Sequence, residues 1–337
     1  MDNKILITGA AGFIGFHLTK RLANDGYEII CIDNINDYYS TKLKKDRLKN
    51  LGFVIENSPN YDCEIKSSKF SNISFYKIDI AEKHETEFLF SKEKFSIVYN
   101  LAAQAGVRFS ITNPEVYTKS NLVGFFNILH NCSQNGVKHL VFASSSSVYG
   151  NSDKIPFKEN LQIDRPVSYY AATKKSNELM AYSYSKIYKI SITGLRYFTV
   201  YGPWGRPDMA PFLFCNGIRN KNSIDVFNNG DLMRDFTYID DIIDGTILAG
   251  NNPNLNNCQI FNIGCGSPVN LLDFIKTIEN EIGINANLNF RNMQRGDVYK
   301  TWADIRELSK LGYKPNVKIS EGIKKYVRWF LNYYNEN

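Results

Sequence analysis

A tyrosine and a lysine one helical turn apart, Tyr170 and Lys174 in Ser168-Tyr169-Tyr170-Ala171-Ala172-Thr173-Lys174, are the side chains with the most direct chemical potential. On a helix that spacing puts both on one face, where the ammonium can favour the phenolate of the tyrosine. Free tyrosine has a pKa of about 10, so a phenolate base at neutral pH needs roughly 4 kcal/mol of preferential stabilisation of the anion. One cation in a partly dry cleft, joined by a second on a cofactor, can supply that. Upstream, Ser144, Ser145, Ser146 and Ser147 run into Val148-Tyr149-Gly150. These hydroxyls could orient a reacting oxygen or cap the backbone at a strand end.

The start of the chain carries a second pattern. Gly9-Ala10-Ala11-Gly12-Phe13-Ile14-Gly15 follows an apolar strand and opens a helix, so its glycines can make a tight turn and let a pyrophosphate reach the backbone amides and the positive helix end. A glycine triplet alone could be a turn with no ligand. Its strand and helix context makes it a dinucleotide site, with Gly9, Gly12, Phe13, Ile14 and Gly15 as contacts. Asp33-Asn34 closes the second strand, where a carboxylate would accept hydrogen bonds from a ribose 2′-hydroxyl. It would repel a 2′-phosphate, so NAD is expected rather than NADP. Asp79-Ile80 ends the third strand, the carboxylate serving either an adenine amino group or a helix N-cap. Leu101-Ala102-Ala103 after the fourth strand places small residues where a cofactor must lie against backbone. Asn121, in an otherwise apolar helix, reads as a buried polar group satisfied by neighbouring backbone.

These sites need a frame. Candidate strands at Lys4–Thr8, Glu28–Ile32, Ile73–Ile78, Ile97–Leu101, His139–Ser144 and Ser191–Arg196 alternate with helical spacing at Phe13–Asn24, Pro114–Gln134 and Tyr170–Tyr188. That alternation predicts an α/β fold, a Rossmann-type doubly wound parallel sheet. The stretch 37–72 is too long for a plain connection and is broken at Asn57-Ser58-Pro59-Asn60, so an insertion with its own helix is expected. After Arg196 the chain turns often, at Gly202-Pro203, Gly205-Arg206-Pro207 and Asn228-Asn229-Gly230, which predicts a smaller α/β substrate-binding domain. Asp240–Ala249 and Ile260–Gly264 read again as helix and buried strand. The expected division is 1–196 plus 234–265 for the NAD-binding domain, interleaved with 197–233 plus 266–337 for the substrate domain.

Composition excludes several classes. With 337 residues, 43% hydrophobic and 22% charged, the chain has the make-up of a folded globular protein. Its net charge of +6 is densest at Lys42, Lys44, Lys45, Arg47 and Lys49. These alternate with Leu43, Leu48 and Leu51 as on an amphipathic helix, so a solvated helix face is expected and no nucleic-acid partner. The cysteines form no C-x-x-C pair, and reduced thiols are expected. His17, His84, His130 and His139 lack metal-ligand spacing, so no metal is expected. The first strand begins too early for a signal peptide and no apolar run could span a bilayer, which predicts a cytoplasmic protein with no membrane partner.

Taken together, these residues resemble the extended short-chain dehydrogenase/reductases that act on nucleotide sugars, and within them the UDP-glucuronate 4-epimerases. The likeness covers essentially the whole chain. It is carried by TGAAGFIG at Thr8–Gly15, DNINDYYSTKLKKDRL at Asp33–Leu48, NLAAQAGVRFS at Asn100–Ser110, ASSSSVYG at Ala143–Gly150, YAATK at Tyr170–Lys174, LRYFTVYGPWGRPDMA at Leu195–Ala210 and MRDFTYIDD at Met233–Asp241. The first and fifth mark the superfamily; DNINDYY, AQAGVRFS and the stretch from Thr199 to Arg206 point to the uronate enzymes. The resemblance implies that Tyr170 takes the proton of the sugar 4-hydroxyl while C4 gives hydride to NAD, and that the 4-keto sugar turns over before hydride returns to its other face. It implies that Lys174 holds the nicotinamide ribose and the phenolate, and that Ser145 orients the 4-oxygen.

Relatives that eliminate water place Asp or Glu before Val-Tyr-Gly, because a leaving hydroxyl must be protonated by an acid, and relatives that decarboxylate tend to carry glutamate there. Here the run is all serine, which argues for epimerisation with every substituent kept. A uronate oxidised at C4 is a β-keto acid, and it loses carbon dioxide readily when its C5–C6 bond aligns with the ketone. A clamp must hold the carboxylate out of that alignment. Ser145, Ser146, Ser147, Thr199 and Arg206 are its candidates, the last for its rigid two-pronged match to a carboxylate. Galactose-type epimerases typically have asparagine at the position of Thr199. Arg234 resembles the family's diphosphate-binding arginine, Arg108 lies in the uronate-type AGVRFS segment as a further substrate contact, and Gln294 and Asp297 resemble nucleotide contacts, a role Arg295 could share. UDP-glucose or UDP-N-acetylglucosamine is the alternative substrate, and a non-catalytic dinucleotide-binding sensor the alternative class. The apolar helices Pro114–Gln134 and Tyr170–Tyr188 are expected to form a four-helix homodimer interface, and the UDP-sugar product to serve surface polysaccharide.

Overall fold

Strand residues in the first half of the chain are buried on both faces, as a parallel sheet wrapped by helices requires. The computed structural model describes residues 4–55, 59–255, 257–293 and 298–335. Strands β1 (Ile5–Thr8), β2 (Ile29–Ile32), β3 (Ile65–Lys66), β4 (Ile73–Tyr76), β5 (Ile97–Asn100), β6 (His139–Ser145) and β7 (Ser191–Tyr197) join the later strand Cys258–Ile263 in one eight-stranded sheet. The spatial order is Cys258–Ile263, β7, β6, β5, β1, β2, β4, β3. Every pairing is parallel except β3 on β4. Strand order reverses at β1 and β5, and ligands of such sheets sit outside the carboxyl ends of the strands at that point.

The alternation along each strand divides the core. Leu6, Ile30, Val98, Leu140 and Ile192 belong to the face covered by the helices Lys83–Lys92, Phe125–Gln134 and Tyr169–Tyr188, while Ile5, Ile7, Cys31 and Leu195 belong to the face covered by Phe13–Asn24 and Ile239–Asn251. The rest of the chain forms short two-stranded pairs: Thr199–Tyr201 with Phe236–Tyr238, Ser223–Phe227 with Asn287–Arg291, and Met233–Arg234 with Val269–Asn270. No helix among the described residues is long and apolar enough to cross a membrane.

One expected helix differs. Pro114–Gln134 is α-helical at Pro114–Tyr117 and Phe125–Gln134 but a π-helix at Thr118–Gly124 between them. Asn121 lies in that segment and explains it. Its side chain bonds Gln104 through N–H and carbonyl at 2.8 and 3.0 Å and donates to Thr173 at 3.1 Å, while its own carbonyl accepts from Asn177 at 2.7 Å. The wider turn thus ties this helix to the one that carries Tyr170.

The insertion also departs from expectation. Its helix, Thr41–Asn50, forms as read, with Ser40 capping it, but only Lys42, Lys45 and Lys49 of its cations are exposed. Lys44 and Arg47 are buried, at 6% and 0% exposure, so this is no simple solvated face. Arg47 donates to the carbonyls of Ala11 (2.8 Å), Trp204 (2.6 and 3.1 Å) and Gly205 (3.4 Å) and to the Tyr39 hydroxyl (2.7 Å). It therefore fastens the glycine turn to the segment that leads into Arg206. Trp204 in turn packs on Trp329 and Tyr333 of the last helix, Ile319–Asn335. Arg47→Met would leave those carbonyls without a donor, at a cost of about 2–4 kcal/mol. A urea midpoint lowered accordingly, with weaker NAD binding, is expected, whereas Lys45→Met at an exposed position should change stability by no more than about 0.5 kcal/mol.

Candidate active site

A cleft of about 1240 Å³ opens at the carboxyl ends of the strands. Gly9, Gly12, Phe13, Ile14, Gly15, Asp33, Asn34, Asp79, Ile80, Leu101, Ala102 and Ala103 line one end of it. Arg108, Ser145, Ser146, Ser147, Tyr170, Lys174, Thr199, Arg206 and Arg234 line the rest. Gln294 and Asp297, with Arg295, lie outside the described residues.

The first end fits a dinucleotide. The helix Phe13–Asn24 starts at Gly12 with no side-chain cap, so the amides of its first turn are left for an anion. A Cβ on Gly15 would stand 2.1 Å from the Gly9 carbonyl, and Gly9 has φ +73°; the turn can lie this close to the helix only with glycine at both. Asp33 accepts from the amides of Ala11 at 3.1 Å and Ile35 at 2.8 Å. Burial raises its pKa, with the Lys44 charge the main offset. Asp79 accepts from Ala81 N–H at 2.9 Å and from the Asn34 amide at 3.3 Å. The helix beyond it begins at Lys83 with Glu82 as N-cap, so Asp79 is not that cap.

At the other end the serine run divides, because strand side chains alternate. Ser144 donates to Glu178 at 2.7 Å, away from its neighbours. Ser145 caps the short 3₁₀ turn Ser146–Tyr149 by accepting from Ser147 N–H at 3.1 Å, and it also lines the cleft. Tyr170 and Lys174 follow on one helix, the ammonium 6.0 Å from the phenol ring centre. Lys174 Nζ donates to the Ala143 carbonyl at 2.8 Å. Burial raises the Tyr170 pKa, with the Ser145 hydroxyl and the Arg206 charge pulling it back. Lys174 is not among the groups that lower it, contrary to the simplest reading of the spacing. Burial instead lowers Lys174 itself to about 8. The couple thus needs further positive charge to ionise the phenol, as an oxidised nicotinamide would bring.

Arg206 is not a free guanidinium. Its Nε and Nη2 donate to the two carboxylate oxygens of Asp208 at 3.0 and 2.5 Å, and Tyr38 donates its hydroxyl to the same carboxylate at 3.0 Å. Thr199 begins the strand Thr199–Tyr201, its N–H donating to the Asp235 carbonyl at 3.1 Å. Arg234 donates to the carbonyls of Met233 and Tyr299 at 3.0 and 3.1 Å, and Arg108 lies over the Phe227 ring at 5.2 Å. Sequence reasoning missed Tyr38, Lys44, Asp208, Glu178 and Arg196. Glu178 had a signal: it continues the Tyr170 and Lys174 face by one more turn. Arg196 grips it with two bonds of 2.8 and 2.9 Å.

A doubly wound sheet with a half-buried tyrosine and a buried lysine on one helix beside a glycine turn defines an enzyme of the short-chain dehydrogenase/reductase type. More particularly, the chain belongs to the NAD dependent epimerase/dehydratase family, whose model matches residues 5–264. It is 45% identical to Protein CapI of Staphylococcus aureus, over 99% of this chain and all of that one. It is 42% identical to UDP-glucuronate 4-epimerase 4 of Arabidopsis thaliana, over 98% of this chain and 76% of that one. Among solved structures, UDP-glucuronic acid 4-epimerase from Bacillus cereus, in complex with UDP-glucuronic acid and NAD, superposes with a TM-score of 0.88 at 33% identity, covering 98% and 100% of the two chains.

The buried Lys174 has a stability consequence. Its folded pKa, about 8, lies below the ordinary 10.5, so the unfolded chain holds this proton more tightly and the penalty is complete below about pH 8. Lys174→Met should therefore abolish turnover yet stabilise the protein at pH 7 by roughly 2–3 kcal/mol, less the lost hydrogen bond. The gain should fade as pH rises from about 8 toward 10.5; urea melts across that range give the test, and a gain independent of pH would count against it.

Proposed function

We propose that this protein is an NAD-dependent UDP-glucuronate 4-epimerase, interconverting UDP-glucuronate and UDP-galacturonate through a transient 4-keto sugar. The observation that carries this is the meeting in one cleft of Tyr170 and Ser145 with Thr199 and Arg206, beside a serine run that holds no carboxylate. Relatives named as UDP-glucuronate 4-epimerases support it. When bound, NAD accepts and returns the C4 hydride. Tyr170 takes the proton of the 4-hydroxyl, which Ser145 orients; the Ser145 hydroxyl and the Arg206 charge favour its phenolate, and Lys174 holds the nicotinamide ribose. Ser146, Ser147, Thr199 and Arg206 hold the C5 carboxylate out of line with the ketone.

An elimination chemistry would need a proton donor for the leaving hydroxyl, and Asp208 is the carboxyl beside Arg206. Burial alone would raise its pKa, but the Arg206 charge and the hydrogen bonds from Arg206 and Tyr38 outweigh that and hold it below the ordinary carboxylate value. It stays ionised at neutral pH and makes a poor acid.

The cofactor domain in this reading is 1–196 plus 234–265, with 197–233 plus 266–337 closing over the sugar nucleotide. Return of Cys258–Ile263 to the edge of the main sheet supports the interleaving. Exposed Val123, Phe126, Leu179 and Tyr182 on the two long helical segments support a homodimer. The cytoplasm, which supplies NAD and nucleotide sugars, is the compartment this chemistry needs, and surface polysaccharide is a fitting destination for the product.

Incubation of the purified protein with UDP-glucuronate should give UDP-galacturonate with no carbon dioxide; a pentose product or an unchanged sugar would overturn the reading. Tyr170→Phe should lower kcat by about 10² to 10⁴ while NAD stays bound. Arg206→Ala should weaken uronate use or release carbon dioxide, measurable by trapping the gas. Leu179→Glu should convert a dimeric mass in solution to a monomeric one.

A further inference from the structure

A uronate 4-epimerase faces two opposed demands on its carboxylate contact. The grip must be firm enough to keep the carboxylate out of line with the ketone, yet the keto sugar has to turn between the two hydride transfers, and its carboxylate moves with the ring. An unopposed arginine meets only the first demand, since two-pronged charge-assisted bonds are strong and directional.

Arg206 is opposed. Asp208 occupies the edge made by Nε and Nη2, at 3.0 and 2.5 Å. The guanidinium also shares a hydrogen bond with the Tyr38 hydroxyl, and it lines the cleft. Asp208 is itself fixed by Tyr38, whose hydroxyl donates to it at 3.0 Å and whose ring lies 5.8 Å from the guanidinium carbon. The loop opposite leaves room for this arrangement. Gly106 has φ +110°, and a Cβ there would fall 2.6 Å from the Tyr38 hydroxyl. Tyr38 comes from DNINDYY, one of the segments that resemble the uronate enzymes, and Asp208 follows Arg206 by two residues.

We propose that Asp208, held by Tyr38, is a built-in competitor of the substrate carboxylate for Arg206, a positioning pair that sets the preference for uronate over neutral sugar and loosens the grip enough for the keto sugar to turn. The proposal rests on the uronate reading above. Arg206 offers the substrate its remaining edge, carrying a charge that Asp208 has partly spent. Removing Asp208 therefore strengthens ground-state binding of the uronate and slows the step that requires release.

The test uses the full-length, NAD-loaded enzyme with Asp208→Asn and Tyr38→Phe, each measured for binding of UDP-glucuronate and UDP-glucose by calorimetry and for kcat and KM. Asp208→Asn should tighten UDP-glucuronate binding by about three- to tenfold, lower kcat by a similar factor, and leave UDP-glucose binding within about twofold. Tyr38→Phe should move both quantities the same way by less. In an Arg206→Ala background the effect of Asp208→Asn should vanish. Equal changes for the two sugars, weaker uronate binding, or an effect that survives loss of Arg206 would each overturn the proposal. If the wild-type enzyme fails to epimerise UDP-glucuronate, the uronate reading falls and this inference with it; a failure confined to the variants removes this inference alone.

Discussion

Glu178 and Arg196 are both almost wholly buried, with side chains 4% and 3% exposed, and they face each other across the helix that carries Tyr170 and the strand β7. Taking two charges out of water costs several kcal/mol per ion, and the pair holds only if its geometry is good and the remaining valences are met. They are met here. Arg196 spends two N–H groups on Glu178 and a third on the Tyr149 hydroxyl, while Glu178 also accepts from Ser144 and Lys175. Since Ser144 adjoins Ser145, and Glu178 sits two helical turns beyond Tyr170, this pair fixes the distance between the Ser145 hydroxyl and the Tyr170 phenol. Tyr149 extends the tie to Asn262 on the returning strand Cys258–Ile263, so the late part of the chain is registered against the same point.

Other buried cations are treated differently, and the differences follow their tasks. Among the described residues Arg47 has no carboxylate partner; backbone carbonyls and one phenol take up its donors, which suits a fixed joint. Among the described residues Lys174 bonds one carbonyl and no counter-ion, and burial leaves its proton weakly held, with a pKa lowered to about 8. A charge so poorly compensated responds to whatever enters the cleft. Arg206 stands between these cases, compensated on one edge and open on the other.

What could be read from the sequence was local. The glycine turn, the strand alternation and the Tyr170–Lys174 face depend on residues a few positions apart, and the helix Phe13–Asn24 has the expected bounds. What could not be read depends on partners far along the chain. Arg47 is buried because Trp204 and Gly205 present carbonyls to it, and Arg206 is occupied because Asp208 is held by Tyr38. The π-helical segment around Asn121 requires Asn177 from another helix. A periodicity argument sees Lys44 and Arg47 as polar positions on an amphipathic helix and has no term for acceptors brought in by tertiary contact. The division of the serine run was within reach, since period-2 alternation in β6 separates Ser144 from Ser145.

The insertion after β2 touches both ends of the cleft. Arg47 holds the glycine turn through Ala11, and from the same segment Tyr38 reaches Asp208 beside Arg206. The glycine turn and the segment that leads into Arg206 are thus both tied to one piece of backbone. In an enzyme whose intermediate must turn between two hydride transfers, a hydride acceptor and a carboxylate contact that moved independently would lose the stereochemical control the turn exists to provide. A shared tie through Arg47 and Tyr38 keeps the two segments in one register.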